Sequence, residues 1–351
     1  MEPLTNEKSS QDAVLDLQNL SVHFHTRDGV VQALRGVDLT IPKGRTVGIV
    51  GESGCGKSVM SQAILRIIPK PGAIAGGRIM LARRDDGPGT APVDLAGLPE
   101  RGEAIRDIRG KDIAIIFQEP MTSLSPVYTI GHQIAESVLL HEKVGKAEAR
   151  RRAIEMLQLV GIPRPEQRVD AYTFELSGGM RQRAMIAMAL SCRPNLLIAD
   201  EPTTALDVTI QAQILELLNR LQSEFGMSIM MITHNLGIVA ALAHQVAVMY
   251  LGRVVEQAPT MELFDHPKHP YTRGLLRSIP RIGAKTGQRL WAIKGMVPNP
   301  YAAIPGCTFH PRCPEFRPGL CDRSVPAVTE AAPSHQVSCF LYSGGESDVN
   351  H

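Results

Sequence analysis

Gly51-Glu52-Ser53-Gly54-Cys55-Gly56-Lys57-Ser58 follows the short apolar run Thr46 to Val50 and precedes Val59 to Ile68, whose spacing predicts a helix. A G-x-x-x-x-G-K-S pattern between a strand and a helix is a phosphate loop. Its glycines let backbone N–H groups turn inward around a β-phosphate, and the helix N-terminus adds its positive dipole. In such a loop Lys57 brings a point charge to the β- and γ-phosphates. The Ser58 hydroxyl suits Mg²⁺, a hard cation that keeps most of its waters. The candidate cofactor residues at this point run from Gly51 through Val59.

Two further stretches belong with the loop. Leu196-Leu197-Ile198-Ala199-Asp200-Glu201-Pro202 is an apolar strand ending in two carboxylates. Open α/β sheets bind ligands at the carboxyl ends of their strands. Neighbouring strand residues point in different directions, so the two acids can differ in role: Asp200 holds Mg²⁺ through water and Glu201 polarises an attacking water. Leu176-Ser177-Gly178-Gly179-Met180-Arg181-Gln182-Arg183 sets a Ser with two glycines at a helix start. A hydroxyl, free N–H groups and the helix dipole make a second anion site there.

Around these motifs the chain alternates strands and helices. Val14 to Leu17, Leu20 to Phe24 and Val30 to Ile41 read as β-branched and apolar strands, with turns at Asp28-Gly29 and Pro42-Lys43-Gly44. Ile113 to Phe117 and Ser228 to Thr233 read as strands, as do Val246 to Tyr250 and Arg253 to Glu256. Ile130 to His141 and Lys146 to Val160 have amphipathic spacing, forming a helical block inserted between strands. Ser177 to Leu190, Val208 to Phe225 and Leu236 to Ala243 are further helices. Arg83 to Pro99, rich in charge, Gly and Pro, reads as an exposed insertion. Strands alternating with helices imply a largely parallel sheet covered on both faces. After about Ala258 prolines become frequent and aliphatic periodicity survives only in Tyr271 to Ile279, so a boundary is placed near 258.

Composition limits the functions. With 351 residues, 44% of them hydrophobic, two domains or one domain with an appendage are expected. A formal charge of +2 with dispersed Lys and Arg gives no footprint for nucleic acid. The polar, acid-bearing stretch Met1 to Gln11 is not a signal peptide. No uninterrupted apolar run reaches the length of a membrane span; His244 and Gln245 break the nearest, Leu236 to Leu251. Of six cysteines, Cys55 and Cys192 stand alone, whereas Cys307, Cys313, Cys321 and Cys339 crowd the C-terminal end. Disulfides rarely persist in the cytosol, so the cluster points to a metal.

The Leu-Ser-Gly-Gly turn, with the phosphate loop and the acid-tipped strand in this order, resembles an ATP-binding cassette (ABC) ATPase. The resemblance implies an α/β fold: a phosphate-loop cassette with a RecA-like core, an inserted helical subdomain at about 119–180 and an antiparallel β subdomain within 1–258, then a small Cys-rich C-terminal extension at 259–351. It implies ATP and Mg²⁺ as cofactors, with Ser58, Gln118 and Asp200 at the metal. Gln118 and His234 match the family's switch residues, one sensing Mg²⁺ and water, the other contacting the γ-phosphate. Glu201 and Lys57 complete the catalytic set. Phe24 sits where the family stacks an aromatic on adenine, with a core aromatic as the other reading. Ser177, Gly178 and Gly179 are implied to reach the γ-phosphate of a partner subunit, and Asp207 lies in the segment that crosses to it.

Four longer stretches narrow the resemblance to the oligopeptide/dipeptide permease branch: Ile116 to Pro126, Glu201 to Thr209, His269 to Leu276 and Pro305 to Pro314. Ser125 stands where Asn is usual. The branch implies a peripheral subunit on the cytoplasmic face of the inner membrane, driving uptake of di- or oligopeptides. It implies a second ABC ATPase (a paralogue or a second copy), two multi-span permease subunits and an extracytoplasmic solute-binding protein as partners, and no nucleic acid. Relatives that import nickel chelates or opines leave those solutes open. A soluble ABC ATPase of repair or translation is the reading from another class, but such proteins usually carry two cassettes or a long coiled coil. A subunit that binds ATP without hydrolysis is disfavoured by the presence of both Glu201 and His234.

The gaps between the C-terminal cysteines are five, seven and seventeen residues, none of them the C-x₂-C of common zinc ribbons. Four thiolates suit Zn²⁺ or an iron–sulfur cluster, and unliganded thiols remain a third reading. Relatives with this pattern resemble carriers of a [4Fe–4S] cluster, which the resemblance therefore favours, in a structural role. His310 and His335 are possible substitute ligands or surface residues.

Overall fold

The computed structural model describes residues 12–83, 90–118, 123–204, 206–278, 293–299, 301–302 and 304–343. The sequence expectations at Met1 to Gln11, Glu119 to Thr122 and Ala205 lie outside them. Among the described residues two sheets are present. The first is antiparallel, built from β1 (Ala13–Thr26), β2 (Gly29–Pro42), β4 (Gly72–Leu81) and β5 (Val93–Asp94) in the order β2-β1-β4-β5. The second adds β3 (Thr46–Val50), β6 (Ile113–Ile116), β7 (Leu196–Asp200), β8 (Ser228–Ile232), β9 (Gln245–Tyr250), β10 (Arg253–Pro259), β11 (Val328–Ala332) and β12 (His335–Ser338). Its order is β11-β12-β10-β9-β3-β8-β7-β6, with β9, β3, β8, β7 and β6 parallel and the other pairs antiparallel.

Every residue of β3, β7 and β8 is buried. Strands covered on both faces read as continuous apolar runs, which is why their positions are legible. The helix after the phosphate loop, α1 (Lys57–Ile64), starts at the loop lysine and ends four residues before the predicted Ile68, because Arg66 adopts φ 55. Left-handed backbone cannot continue a right-handed helix. α2 (Glu103–Ile108) precedes β6. Between β6 and β7, α3 (Ile130–His141) and α4 (Lys146–Leu159) bury Ile130, Ile134, Ala153 and Leu157 in one cluster with Ala184 and Ile186 of α6 (Gly178–Leu190); a short α5 (Pro165–Arg168) lies before α6. α7 (Val208–Phe225) has the predicted bounds and stops at Gly226 with φ 64, and α8 (Leu236–Leu242) follows β8.

The two predicted N-terminal strands are one strand, β1, bent where Asn19 takes φ 49. The segment Arg83 to Pro99 is not wholly an exposed insertion. Val93 and Asp94 pair with Leu81 and Met80, Leu95 is fully buried, and the Asp94 carboxylate accepts from the N–H of Ile79 and of Ala96, both at 3.0 Å. β4 carries three glycines and has no sequence signature; pairing with β1 makes it a strand. Beyond 258, α9 (Thr260–Asp265) and α10 (Pro270–Arg277) pack beside β10, and the hairpin β11–β12 extends the main sheet through Glu256↔Val337. Among the described residues no helix is long and apolar enough to cross a membrane.

Candidate nucleotide site

A cleft of about 670 Å³ opens at the carboxyl ends of the parallel strands. Phe24, Ser53, Gly54, Gly56, Lys57, Ser58, Val59, Gln118, Glu201 and His234 line it, so residues from five separated stretches meet on one surface. Gly56 holds φ 104, and a Cβ there would stand 2.6 Å from the Ala33 carbonyl oxygen; only glycine lets the loop close against β2. Gly51, Glu52 and Cys55 lie behind the cleft. Lys57 Nζ donates to the carbonyl oxygens of Gly51 at 2.8 Å and Glu52 at 3.0 Å, and lies 3.7 Å from Cys55 Sγ. Burial pushes the Cys55 thiol up, which keeps it a packed, neutral side chain.

The acid pair is divided as its strand position implies. Asp200 is buried, its carboxylate hydrogen-bonded to Ser58, and burial raises its pKa despite the nearby Lys57 charge. Glu201 turns into the cleft with φ 49, its N–H donating to Ile232 O at 2.8 Å. Glu201 Oε1 lies 2.9 Å from His234 Nδ1; Oε2 accepts from Thr204 Oγ1 at 2.8 Å and from Gln118 Nε2 at 3.5 Å. Burial pushes this carboxyl up, but the His234 and Thr204 hydrogen bonds and the Lys57 charge outweigh it, so the net shift is downward. Glu201 is thereby an ionised acceptor beside the phosphate loop, suited to orient a water.

Phe24 is half-buried, its ring against Gly72 and Ile68, with one side on the cleft. Ser177, Gly178 and Gly179 are not in the cleft. Ser177 Oγ caps α6 by accepting from Met180 N at 3.3 Å, and Asp207 Oδ1 caps α7 by accepting from Ile210 N at 2.9 Å. Sequence reasoning missed Thr204, three residues after Glu201, and Gln182, whose buried side chain donates to Pro202 O. It also missed two residues bracing the loop from behind. Arg312 makes a two-pronged ion pair with Glu52, Nη1–Oε2 at 2.7 Å and Nη2–Oε1 at 3.0 Å, and Glu52 N donates to Tyr271 Oη at 2.9 Å.

Cys307, Cys313, Cys321 and Cys339 line one small cavity of about 20 Å³, together with His310. Burial raises the Cys307, Cys313 and Cys339 thiols, the last two to about 11. As the side chains stand, no group of three or more His, Cys, Asp or Glu among the described residues is gathered closely enough to hold a metal ion. His335 is neither a surface residue nor available as a ligand: it is fully buried, with Nε2 2.7 Å from Glu256 and Nδ1 3.5 Å from Glu262. His310 Nδ1 lies 2.9 Å from Cys307 O.

The family described as "ABC transporter" matches residues 34–204, and "Oligopeptide/dipeptide transporter, C-terminal region" matches residues 255–321. The chain is 50% identical over 330 residues to the probable peptide ABC transporter ATP-binding protein y4tR of Sinorhizobium fredii, covering 94% of this chain and 95% of that one. It is 49% identical over 331 residues to the dipeptide transport ATP-binding protein DppD of Bacillus subtilis, with the same coverage. Among solved structures, the dimeric post-hydrolysis state of the ATP-binding cassette MJ0796 bound to ADP and Pi superposes with a TM-score of 0.60 at 26% identity, covering 70% of this chain and 98% of that one. The chain belongs to the ABC transporter ATP-binding proteins of the oligopeptide/dipeptide permease family, and is an ATP-hydrolysing transporter subunit.

Proposed function

We propose that this chain is one of a pair of ATPases that drive uptake of di- and oligopeptides through a membrane permease, from the cytoplasmic face of the inner membrane. The observation that carries the solute class is the match at 255–321, since a cassette alone could serve any transporter. Near-full-length identity to peptide-transport ATP-binding proteins supports it. In this reading Lys57 and the loop amides hold the phosphates, Ser58 and Asp200 hold Mg²⁺ with Gln118 beside it, and Phe24 stacks on adenine. Glu201 orients the attacking water, and His234 contacts the γ-phosphate. Ser177, Gly178, Gly179 and Asp207, outside their own chain's cleft, serve the cleft of the partner ATPase, a paralogue or a second copy. The dimeric state of MJ0796 supports pairing. Two permease subunits and a solute-binding protein complete the assembly.

The four C-terminal cysteines are assigned to one [4Fe–4S] centre, with Zn²⁺ as the alternative. Their convergence on one cavity supports the assignment, and the thiols would turn inward and deprotonate on binding. The test of function is uptake in proteoliposomes holding the co-purified permease, this chain and its partner ATPase. Labelled di- and tripeptides should enter with ATP, and not when Glu201→Gln replaces the chain. ATP-driven entry of nickel chelates or opines but not of peptides overturns the solute class.

A further inference from the structure

Glu52 is the first variable residue of the phosphate loop, and each of its polar groups is taken. Its N–H donates to Tyr271 Oη, its carbonyl accepts from Lys57 Nζ, and its carboxylate receives both Nη atoms of Arg312. Arg312 is itself fixed. Its side chain is 5% exposed, its Nε donates to Lys294 O at 3.2 Å, and its guanidinium lies over the Tyr250 ring, 5.8 Å from the centroid. Tyr250, Tyr271 and Phe309 are buried and pack ring against ring at 4.7 to 5.4 Å. Phe309 and Arg312 lie on the segment between Cys307 and Cys313, so the chain beyond 258 reaches the back of the nucleotide loop through one packed aromatic block.

We propose that Arg312 is a positioning residue for ATP: it neutralises and orients Glu52, and so keeps Lys57 and the loop amides set for the phosphates. Without Arg312 the Glu52 carboxylate would be a lone negative charge within the loop that must accept a polyanion. That charge would repel the phosphates and draw Lys57 Nζ towards itself. A bidentate Arg–carboxylate pair supplies charge and direction together, which a lysine cannot. The proposal requires only that the loop binds ATP and does not depend on the transported solute.

The full-length chain is titrated with a fluorescent ATP analogue, and hydrolysis is followed in the assembled transporter. Arg312→Met should raise the Kd and the KM for ATP by about tenfold or more, in the range of typical coupling between neighbouring sites, while kcat stays within about twofold. A residue that merely supports the fold would lower kcat and the active fraction together. Glu52→Gln added to Arg312→Met removes the uncompensated charge and should bring the Kd back towards the wild-type value. If Arg312→Met does not fold, Arg312→Lys is read instead, and a smaller rise of about threefold is expected because an ammonium makes one contact where the guanidinium fork makes two. An ATP affinity equal to wild type in the folded Arg312 variant overturns the proposal, as does a double variant that binds ATP more weakly than Arg312→Met alone.

Discussion

His234 Nδ1 lies 2.9 Å from Glu201 Oε1, and that contact holds the carboxylate over the phosphate loop from a backbone that only a minority of non-glycine residues adopt, φ 49. The strain and the hydrogen bond serve one end: Asp200 faces Ser58 while the next residue turns the other way, into the cleft. Glu201→Gln keeps the shape and leaves Asp200 in place but removes the carboxylate proposed to orient water. ATP should still bind, closed dimers should accumulate, and turnover at this site should fall by at least about a hundredfold. Single-turnover hydrolysis checks this, because a partner ATPase with its own intact site could mask the loss in steady state. Full single-turnover rates in the variant would remove Glu201 from the mechanism.

Ser177 supplies the second prediction, since its hydroxyl caps α6 away from its own chain's cleft. Ser177→Arg places a bulky cation at the helix N-terminus. Losing the cap costs about 1 kcal/mol of stability, so circular dichroism should show a folded protein. ATP affinity of the isolated chain should stay within about twofold, while hydrolysis in the assembled pair should fall by about a hundredfold, the loss typical when a preorganised donor is removed from a reacting group. A large loss of affinity in the isolated chain would place Ser177 in its own site instead.

Most of the cleft is legible in sequence because its parts sit at strand ends and helix starts. Thr46 to Val50 and Leu196 to Ala199 are buried runs that lead directly into their functional segments, so period and motif locate Lys57, Ser58, Asp200 and Glu201 together. What stays hidden depends on pairing between distant segments. Gly72–Leu81 is a strand because β1 runs beside it, and Val328–Ala332 because β12, itself paired with β10, runs beside it. Arg312 is hidden for the same reason. It stands 260 residues from Glu52 within a proline-rich stretch, and no spacing rule joins them. The buried pair His335–Glu256 is another case: the sequence admits a ligand or a surface histidine, and the fold places it in the interior against a carboxylate.

Acid should loosen the junction at α10 first. His269 Nδ1 accepts from Tyr271 N, which requires a neutral ring, and burial together with the Arg273 charge lowers its pKa from 6.5 to about 3. Phe309 lies against its ring, and the Glu256 carboxylate takes its backbone N–H at 2.9 Å. The folded pKa lies below the unfolded one, so the unfolded chain binds more protons between the two. The stability contribution is whole above pH 6.5 and is lost progressively as pH falls from there towards 3. His269→Asn keeps an acceptor for the cap and cannot titrate. Thermal melts of the two proteins from pH 8 to 5 should show a steeper decline for wild type, and parallel declines would dissociate His269 from the effect.

The cysteine segment gives the last prediction. Cys307 N donates to Cys321 O at 2.8 Å, and Cys313 N to His310 O at 3.2 Å, so backbone bonds already draw three of the four thiol positions together. Pro311, Pro314 and Pro318 restrict the unfolded chain between them and lower the ordering cost. In the proposed assignment, a bound metal centre would supply the constraint that a short segment with few apolar runs lacks. Anaerobic purification followed by iron, sulfide and zinc analysis should find about four irons and four sulfides per chain; stoichiometric zinc without iron would replace the cluster and keep the ligands. Cys313→Ser should lose the metal and loosen the chain after about residue 300, seen as faster amide exchange there and weaker assembly with the permease. Because Arg312 adjoins Cys313, ATP affinity should also fall, but by no more than in Arg312→Met, since the loop's own amides and Lys57 remain. Unchanged exchange after residue 300 in metal-free Cys313→Ser would deny the centre its structural role.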